Sequence, residues 1–342
     1  MKFKSLFTVL AVLVVGASFA QAADLTWRLG SSVGPKDPST LNLLELAERV
    51  GEKSGGRFKI EVIPIETIGF KNVDSLRVLK QGVLEAMAIV PYYVVRDEPM
   101  MGVFAPHGVL IDAEQNLKIV DEQYKIGAEI LGSSKWGIVQ IARSPFAALR
   151  DLVIMSKTPV NTLEGLRKLK FRHFTKDGLQ AFNALGVSTQ VVPSSELYLA
   201  LKTGVVDAAA YGPTYGQSQS IYEVTCCMTY LAAFSMAYPF SIGVNKEVWA
   251  KVPDDLKKIL VDESNAMWRE SVEIWKGGGA EKSAYEWLTT KGGMKMLDPV
   301  PLADRKLIQA ELLKIWRAQA EKISPTALGY FERINKALND GK

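Results

Sequence analysis

The segment that decides the fold opens with Leu163-Glu164-Gly165-Leu166-Arg167-Lys168-Leu169-Lys170-Phe171-Arg172 and runs as a helical stretch to Leu185-Gly186. It continues through Val191-Val192-Pro193-Ser194-Ser195-Glu196-Leu197-Tyr198 and Leu201-Lys202-Thr203-Gly204, and closes on Val205-Val206-Asp207-Ala208-Ala209-Ala210-Tyr211. Leu169 and Phe171 alternate with Lys170 and Arg172, the period of a strand. A helix that stops at glycine and passes at once into a short apolar strand then occurs twice, at Gly186 and at Gly204. Ser194 and Ser195 are placed to cap the helix that follows Pro193, with Glu196 in its first turn. Short apolar strands alternating with helices predict an α/β fold built on a mostly parallel sheet.

The same unit occurs earlier in the chain. Leu79-Lys80-Gln81-Gly82-Val83-Leu84-Glu85-Ala86-Met87-Ala88 matches Leu201 to Ala210 in residue type at nearly every place. Upstream, Gly56 to Pro64 corresponds to Gly186 to Pro193. From Pro64 to Gly82 is 18 residues and from Pro193 to Gly204 is 11, so the first copy carries an extra loop. Two copies predict two similar α/β lobes rather than a solenoid, which needs three or more repeats.

The 342-residue length agrees with two lobes. Lys2 and Lys4 precede an apolar run from Leu6 to Phe19, and Ala20-Gln21-Ala22 ends it, so residues 1–22 read as a secretory signal cleaved after Ala22. Loss of two lysines takes the formal charge from +4 to +2, a balance that excludes nucleic acid and anionic membranes as charge-driven partners. No later run approaches the length of a membrane span. Cys226 and Cys227, the only cysteines, are adjacent; they are expected to be buried thiols, and no His or Cys spacing beside them forms a metal site. No cofactor motif is present.

Other elements follow from periodicity. Strands are expected at Leu25–Leu29, Phe58–Val62 and Leu84–Val90, and helices from Leu41 to Val50, Val73 to Leu79 and Ala113 to Leu131. Trp136–Ala142 and Phe146–Met155 read as extended segments. A long helix starts after Pro253, with Gly277-Gly278-Gly279 interrupting it, and helices near Asp304–Ile323 and Tyr330–Leu338 end the chain. The expected division is 1–22 signal peptide, 23–146 first lobe, 147–239 second lobe, 240–275 return to the first lobe with a long helix, and 276–342 C-terminal helices on the second lobe. The chain should cross between lobes near Phe146–Arg150 and Ala237–Ile242.

Ligands of open α/β sheets bind beyond the carboxyl ends of strands. Those ends carry Val90-Pro91-Tyr92-Tyr93 in one copy and Tyr211-Gly212-Pro213-Thr214-Tyr215 in the other. Arg172, on a strand, needs an anion if it is buried, because a guanidinium keeps its charge; the alternative is an exposed arginine or a structural salt bridge. Arg150 lies in a second extended stretch beside Asp151, which is a candidate structural partner. Gly30-Ser31-Ser32-Val33-Gly34 fits a nucleophile elbow after a strand, which makes a periplasmic hydrolase using Ser32 the competing function. The only histidines are His107 and His173.

These residues resemble the periplasmic solute-binding proteins of tripartite ATP-independent (TRAP) transporters, the DctP type. The resemblance runs from about Trp27 to Trp275. It rests on Gly55-Gly56-Arg57-Phe58-Lys59-Ile60, the Gly69 region, Leu79-Lys80-Gln81-Gly82, the Gly165–Arg172 segment, Ala184-Leu185-Gly186, Ser195 to Asp207 and Tyr222-Glu223-Val224. It implies a type II-like clamp of two lobes joined by crossing strands and a long helix. Such a clamp closes on an organic acid and delivers it to membrane subunits driven by an ion gradient; it is no enzyme. It further implies that Arg172 salt-bridges the ligand carboxylate and that Arg150 assists. A binding protein of an ABC transporter or a sensor is the alternative within binding proteins.

The sequence departs from the family pattern at two places. Two extra residues separate Gly165 from Arg172, and Tyr211 stands where sugar-acid binders carry a polar Asn. A site of Arg172, Arg150, Tyr211, Tyr92, Val90, Tyr215 and Phe240 is therefore expected to hold a small monocarboxylate with an aromatic or apolar body. The protein is expected to be an exported monomer without a metal.

Overall fold

Each repeat helix ends on a glycine that only a residue without a side chain adopts comfortably: Gly82 has φ +68° and Gly204 φ +77°. The turn sends the chain straight into a fully buried strand, which reads Ala-Met-Ala-Ile in one copy and Ala-Ala-Ala-Tyr in the other. The computed structural model describes residues 23–32, 34–35, 38–106, 108–133, 135–143, 149–235, 241–276 and 279–340.

The strands are β1 (Leu25–Ser31), β2 (Phe58–Pro64), β3 (Ala86–Ile89), β4 (Ile138–Arg143), β5 (Leu149–Ser156), β6 (Phe171–His173), β7 (Thr189–Val191), β8 (Ala208–Tyr211), β9 (Cys227–Ser235), β10 (Ser241–Asn245) and β11 (Lys295–Met296). The helices of the first half are α1 (Pro38–Lys53), α2 (Ser75–Lys80), α3 (Pro91–Val94), α4 (Ala113–Leu131), α5 (Leu163–Leu166) and α6 (Lys176–Ala184). Those of the second half are α7 (Leu197–Thr203), α8 (Pro213–Ser218), α9 (Lys246–Ala250), α10 (Asp254–Lys276), α11 (Gly279–Thr290), α12 (Leu302–Ile323) and α13 (Pro325–Asn339).

They form two mixed sheets, β2-β1-β3-β10-β4 and β11-β9-β5-β8-β6-β7. The repeat seen in sequence is a repeat of position. β3 lies between a parallel neighbour, β1, and an antiparallel one, β10; β8 lies between parallel β6 and antiparallel β5. The chain passes from the first sheet to the second between Arg143 and Leu149, and back between Ser235 and Ser241. Both crossings leave from the side where β3 and β8 end, since Ile89 pairs with Ser241, and β5 begins beyond the Val153–Tyr211 pairing.

Strand alternation sorts the core into layers. Met87 and Ile89 join Leu152, Ile154, Phe171, Ala208 and Ala210 in one apolar cluster that runs through both lobes and includes Ile119 of α4, Trp316 of α12 and Phe331 of α13. The opposite faces are covered separately. Ala86 and Ala88 pack with Leu43 of α1 and Leu260 of α10, whereas Val153, Ala209 and Tyr211 pack with Leu201 of α7 and Leu288 of α11. The last helices reach both lobes: α12 packs on α6, α13 packs on α4, and Arg333 of α13 pairs with Glu122 and Glu129 of α4.

Two local expectations are corrected. Cys226 and Cys227 are not free thiols but are bonded to each other. Cys226 lies just before β9, outside strand alternation, so the two side chains need not diverge. β9 itself escaped the sequence reading. It carries a nearly unbroken apolar run between β5 and β11, and its pairing with β5 shifts register at Leu152/Val153, so it has no period of two. The interruption expected at Gly277-Gly278-Gly279 falls mostly outside the described residues; α10 ends at Lys276 and α11 begins at Gly279.

Candidate functional site

The site is built at the carboxyl ends of β6 and β8. Strand alternation puts Phe171 and His173 toward the shared core and Arg172 on the other face, where its strand neighbour is Ala209. Arg172 is completely buried. Its Nε donates to the Val192 carbonyl (2.9 Å), Nη1 to the Ala210 carbonyl (3.0 Å) and Nη2 to the Ser194 hydroxyl (3.3 Å). Among the described residues no carboxylate forms an ion pair with it. A guanidinium has five N–H groups; three are used here, which leaves one on each terminal nitrogen.

Above the guanidinium lie two aromatic rings, Phe174 at 5.6 Å and Tyr211 at 5.4 Å from the central carbon. Burial lowers the affinity of Arg172 for its proton to a pKa of about 10, opposed by the Tyr211 hydroxyl, so it stays charged at neutral pH. The same burial raises the Tyr211 hydroxyl. A neutral tyrosine therefore sits over a fixed cation that has no counter-ion among the described residues.

Beside this pair is a cavity of about 280 Å³ lined by Phe174, Ser194, Tyr211, Gly212, Tyr215 and Gln219. The Tyr211 and Tyr215 ring centroids are 6.0 Å apart. Pro213 opens α8, which carries Tyr215 to the cavity wall, and Gln219 stands at the end of that helix, where the Tyr211 hydroxyl donates to its Oε1 (2.7 Å). Behind the wall, the Thr214 amide donates to Glu281 of α11 (3.2 Å), and the Tyr285 hydroxyl donates to Asp151 of β5 (3.0 Å).

The structure thus brings Arg172, Tyr211 and Tyr215 together. Val90 and Tyr92 follow β3 in the other lobe and do not line the cavity; Val90 is buried in the shared core, and the Tyr92 ring packs on Tyr93 with centroids 4.4 Å apart. Phe240 and the Arg150 side chain lie outside the described residues. Phe174, Ser194, Gly212 and Gln219 were not anticipated as site residues. Phe174 had a signal, since it follows the arginine strand directly. Ser194 was read as a helix cap. The turn at Ser194–Glu196 has no side-chain cap, and the Ser194 hydroxyl instead accepts from Arg172. Gln219 had none, because its place depends on how α8 lies against β8.

Among the described residues, Ser32 has no histidine or acid as a hydrogen-bond partner. Its buried hydroxyl donates to the Ala88 carbonyl (3.1 Å) and meets the Ser75 hydroxyl (3.2 Å). Arg143 pairs with Asp121 and lies over the Tyr124 and Trp268 rings. Among the described residues no group of three His, Cys, Asp or Glu side chains is placed to hold a metal ion. No helix among them is long and apolar enough to cross a membrane.

The family model of bacterial extracellular solute-binding proteins, family 7 (DctP), matches residues 29–322. The chain belongs to this family. Family-7 proteins are periplasmic solute-binding components of transporters and not enzymes, which removes the hydrolase reading of Ser32. The C4-dicarboxylate-binding periplasmic protein DctP of Rhodobacter capsulatus is 26% identical over 246 residues, 70% of this chain and 70% of that protein. The fold matches a TRAP periplasmic solute-binding protein of Rhodobacter sphaeroides in an apo, open structure, with TM-score 0.74, 20% identity and coverage of 92% of this chain and 98% of that one. It also matches a Bordetella pertussis extracytoplasmic solute receptor binding pyroglutamic acid, with TM-score 0.67, 18% identity and coverage of 92% and 99%.

Proposed function

We propose that this family-7 protein captures a small monocarboxylate with an apolar or aromatic body and delivers it to the membrane subunits of a TRAP transporter for ion-gradient-driven uptake. The observation that carries the reading is Arg172, a buried cation that among the described residues has no acidic partner and keeps one unpaired N–H on each terminal nitrogen. A carboxylate is the partner that fits such a fork, through charge-assisted hydrogen bonds of about 1.5–3 kcal/mol each. Phe174, Tyr211 and Tyr215 supply apolar surface around it. A dicarboxylate needs a second cation, and no described residue lining the cavity carries one.

The cavity belongs to one lobe, and the fold agrees better with the open apo structure than with the pyroglutamate-binding receptor. Both points support a ligand-free arrangement in which closure carries Val90 and Tyr92 toward the acid, a shift of population between open and closed forms. Arg150 and Phe240 remain proposed contributors, since Arg150 follows one crossing at the start of β5 and Phe240 directly precedes β10 in the sequence. Export by removal of residues 1–22 and a monomeric state complete the proposal. Micromolar affinity corresponds to about −8 kcal/mol, which two arginine bonds and burial of a small apolar body can supply.

Titration calorimetry with acids found by thermal-shift screening tests this reading. Arg172→Ala is expected to lower affinity at least a hundredfold; near-normal affinity in that variant overturns the assignment. Stabilisation only by polyhydroxylated sugar acids overturns the ligand class.

A further inference from the structure

Gln219 lines the cavity and is held from one side. Its Oε1 accepts from the Tyr211 hydroxyl, and its Nε2 has no partner among the described residues. Tyr211 is buried and Gln219 lies at the open end of α8, so the amide is anchored on one side and free on the other. The same tyrosine whose ring covers the Arg172 guanidinium thus orients, through its hydroxyl, the amide beyond it. Gln219 lines the cavity itself, while the Arg172 guanidinium lies behind the Phe174 and Tyr211 rings and the Ser194 hydroxyl that form its wall.

We infer that Gln219 is a specificity-determining residue that reads a hydrogen-bond acceptor at the end of the ligand remote from its carboxylate. The inference rests on the carboxylate reading above. It narrows the ligand class to small monocarboxylates whose apolar body carries a carbonyl oxygen, such as a lactam or a remote keto group. A buried donor that loses its acceptor discriminates more strongly than apolar contact does. Gln219 is exposed in this arrangement; closure of the lobes over the acid takes its amide out of water, and an acid lacking that oxygen then leaves the amide unpaired, so its affinity falls.

Matched pairs of acids separate the two levels of the argument: pyroglutamate against cyclopentanecarboxylate, and 4-oxopentanoate against pentanoate. Wild type is expected to bind the carbonyl-bearing member of each pair at least tenfold more tightly by calorimetry. Gln219→Leu should abolish that preference, read as the ratio of affinities within each pair, and Arg172→Ala should weaken all four. Tyr211→Phe, which frees the amide without removing it, should reduce the preference without eliminating it. Equal losses for both members of a pair in Gln219→Leu, or no loss, overturn the role of Gln219 while the carboxylate reading stands. Binding that survives Arg172→Ala overturns the carboxylate reading itself, and with it the inference. Failure of all four acids to bind wild type overturns the ligand class named here.

Discussion

At the scale of single residues, the site depends on charge kept from water. Arg172 differs from a surface arginine because its partners are two carbonyls and a hydroxyl, none of which neutralises it. Arg172→Lys keeps the charge but replaces a planar fork of five donors by a point charge with three. It is expected to weaken binding nearly as much as Arg172→Ala, by about a hundredfold in calorimetry. Asp151 shows the converse: burial raises its carboxyl above the ordinary range, with the Tyr285 hydroxyl bond opposing. A carboxyl raised by folding binds its proton more tightly in the native state, so its contribution to stability falls as pH rises from the unfolded value near ~4. Asp151→Asn should therefore stabilise the protein at pH 7, and the gain should vanish toward pH 3. Urea unfolding at several pH values checks this; a gain that grows on acidification contradicts it.

At the scale of elements, the cavity wall is held by short pieces whose ends are fixed by close contacts. α6 begins immediately after the arginine strand, with Thr175 capping it by accepting from the Gly178 amide (3.1 Å). A Cβ on Gly178 would lie 2.0 Å from Nδ1 of His173, and the His173 ring in turn stacks on Phe174 with centroids 4.7 Å apart. Gly178→Ala must push the imidazole, and with it one wall of the cavity. The expected cost is about 1–3 kcal/mol of stability, with weaker ligand binding, read by denaturant unfolding and calorimetry on the same variant. Unchanged values of both would mean that the histidine has room to move. α8 has a comparable place, since one end presents Tyr215 to the cavity while the amide of Thr214 is tied to α11.

At the scale of the molecule, two sheets of related topology share one apolar cluster and are linked by two chain crossings. α10 packs on α1 and β4 of the first lobe and reaches β5 of the second, and α12 with α13 spans α6 and α4. Small-angle scattering is expected to show a smaller radius of gyration when a bound acid saturates wild type and no change with Arg172→Ala. Compaction in that variant would show that closure does not depend on the carboxylate grip.

What was legible in sequence follows from local physics. The helix–glycine–strand units at Leu79–Ala88 and Leu201–Ala210 announced two related lobes, because a left-handed glycine turn and a short apolar strand are written in adjacent residues. Arg172 was legible for the same reason, as a cation on an apolar strand. Tyr211 and Tyr215 could be placed because strand ends are where the backbone opens. β9 was not legible, since burial on both faces and a register shift remove alternation. The bond between Cys226 and Cys227 depends on where the chain leaves strand geometry. Ser194 and Gln219 belong to the site only because β6, β7 and β8 lie side by side and α8 folds back over β8. The sequence by itself therefore determined the units, their duplication and the charge at their centre. The tertiary structure alone decided which side chains surround that charge, because contacts between elements depend on packing across long sequence separations that no local pattern encodes.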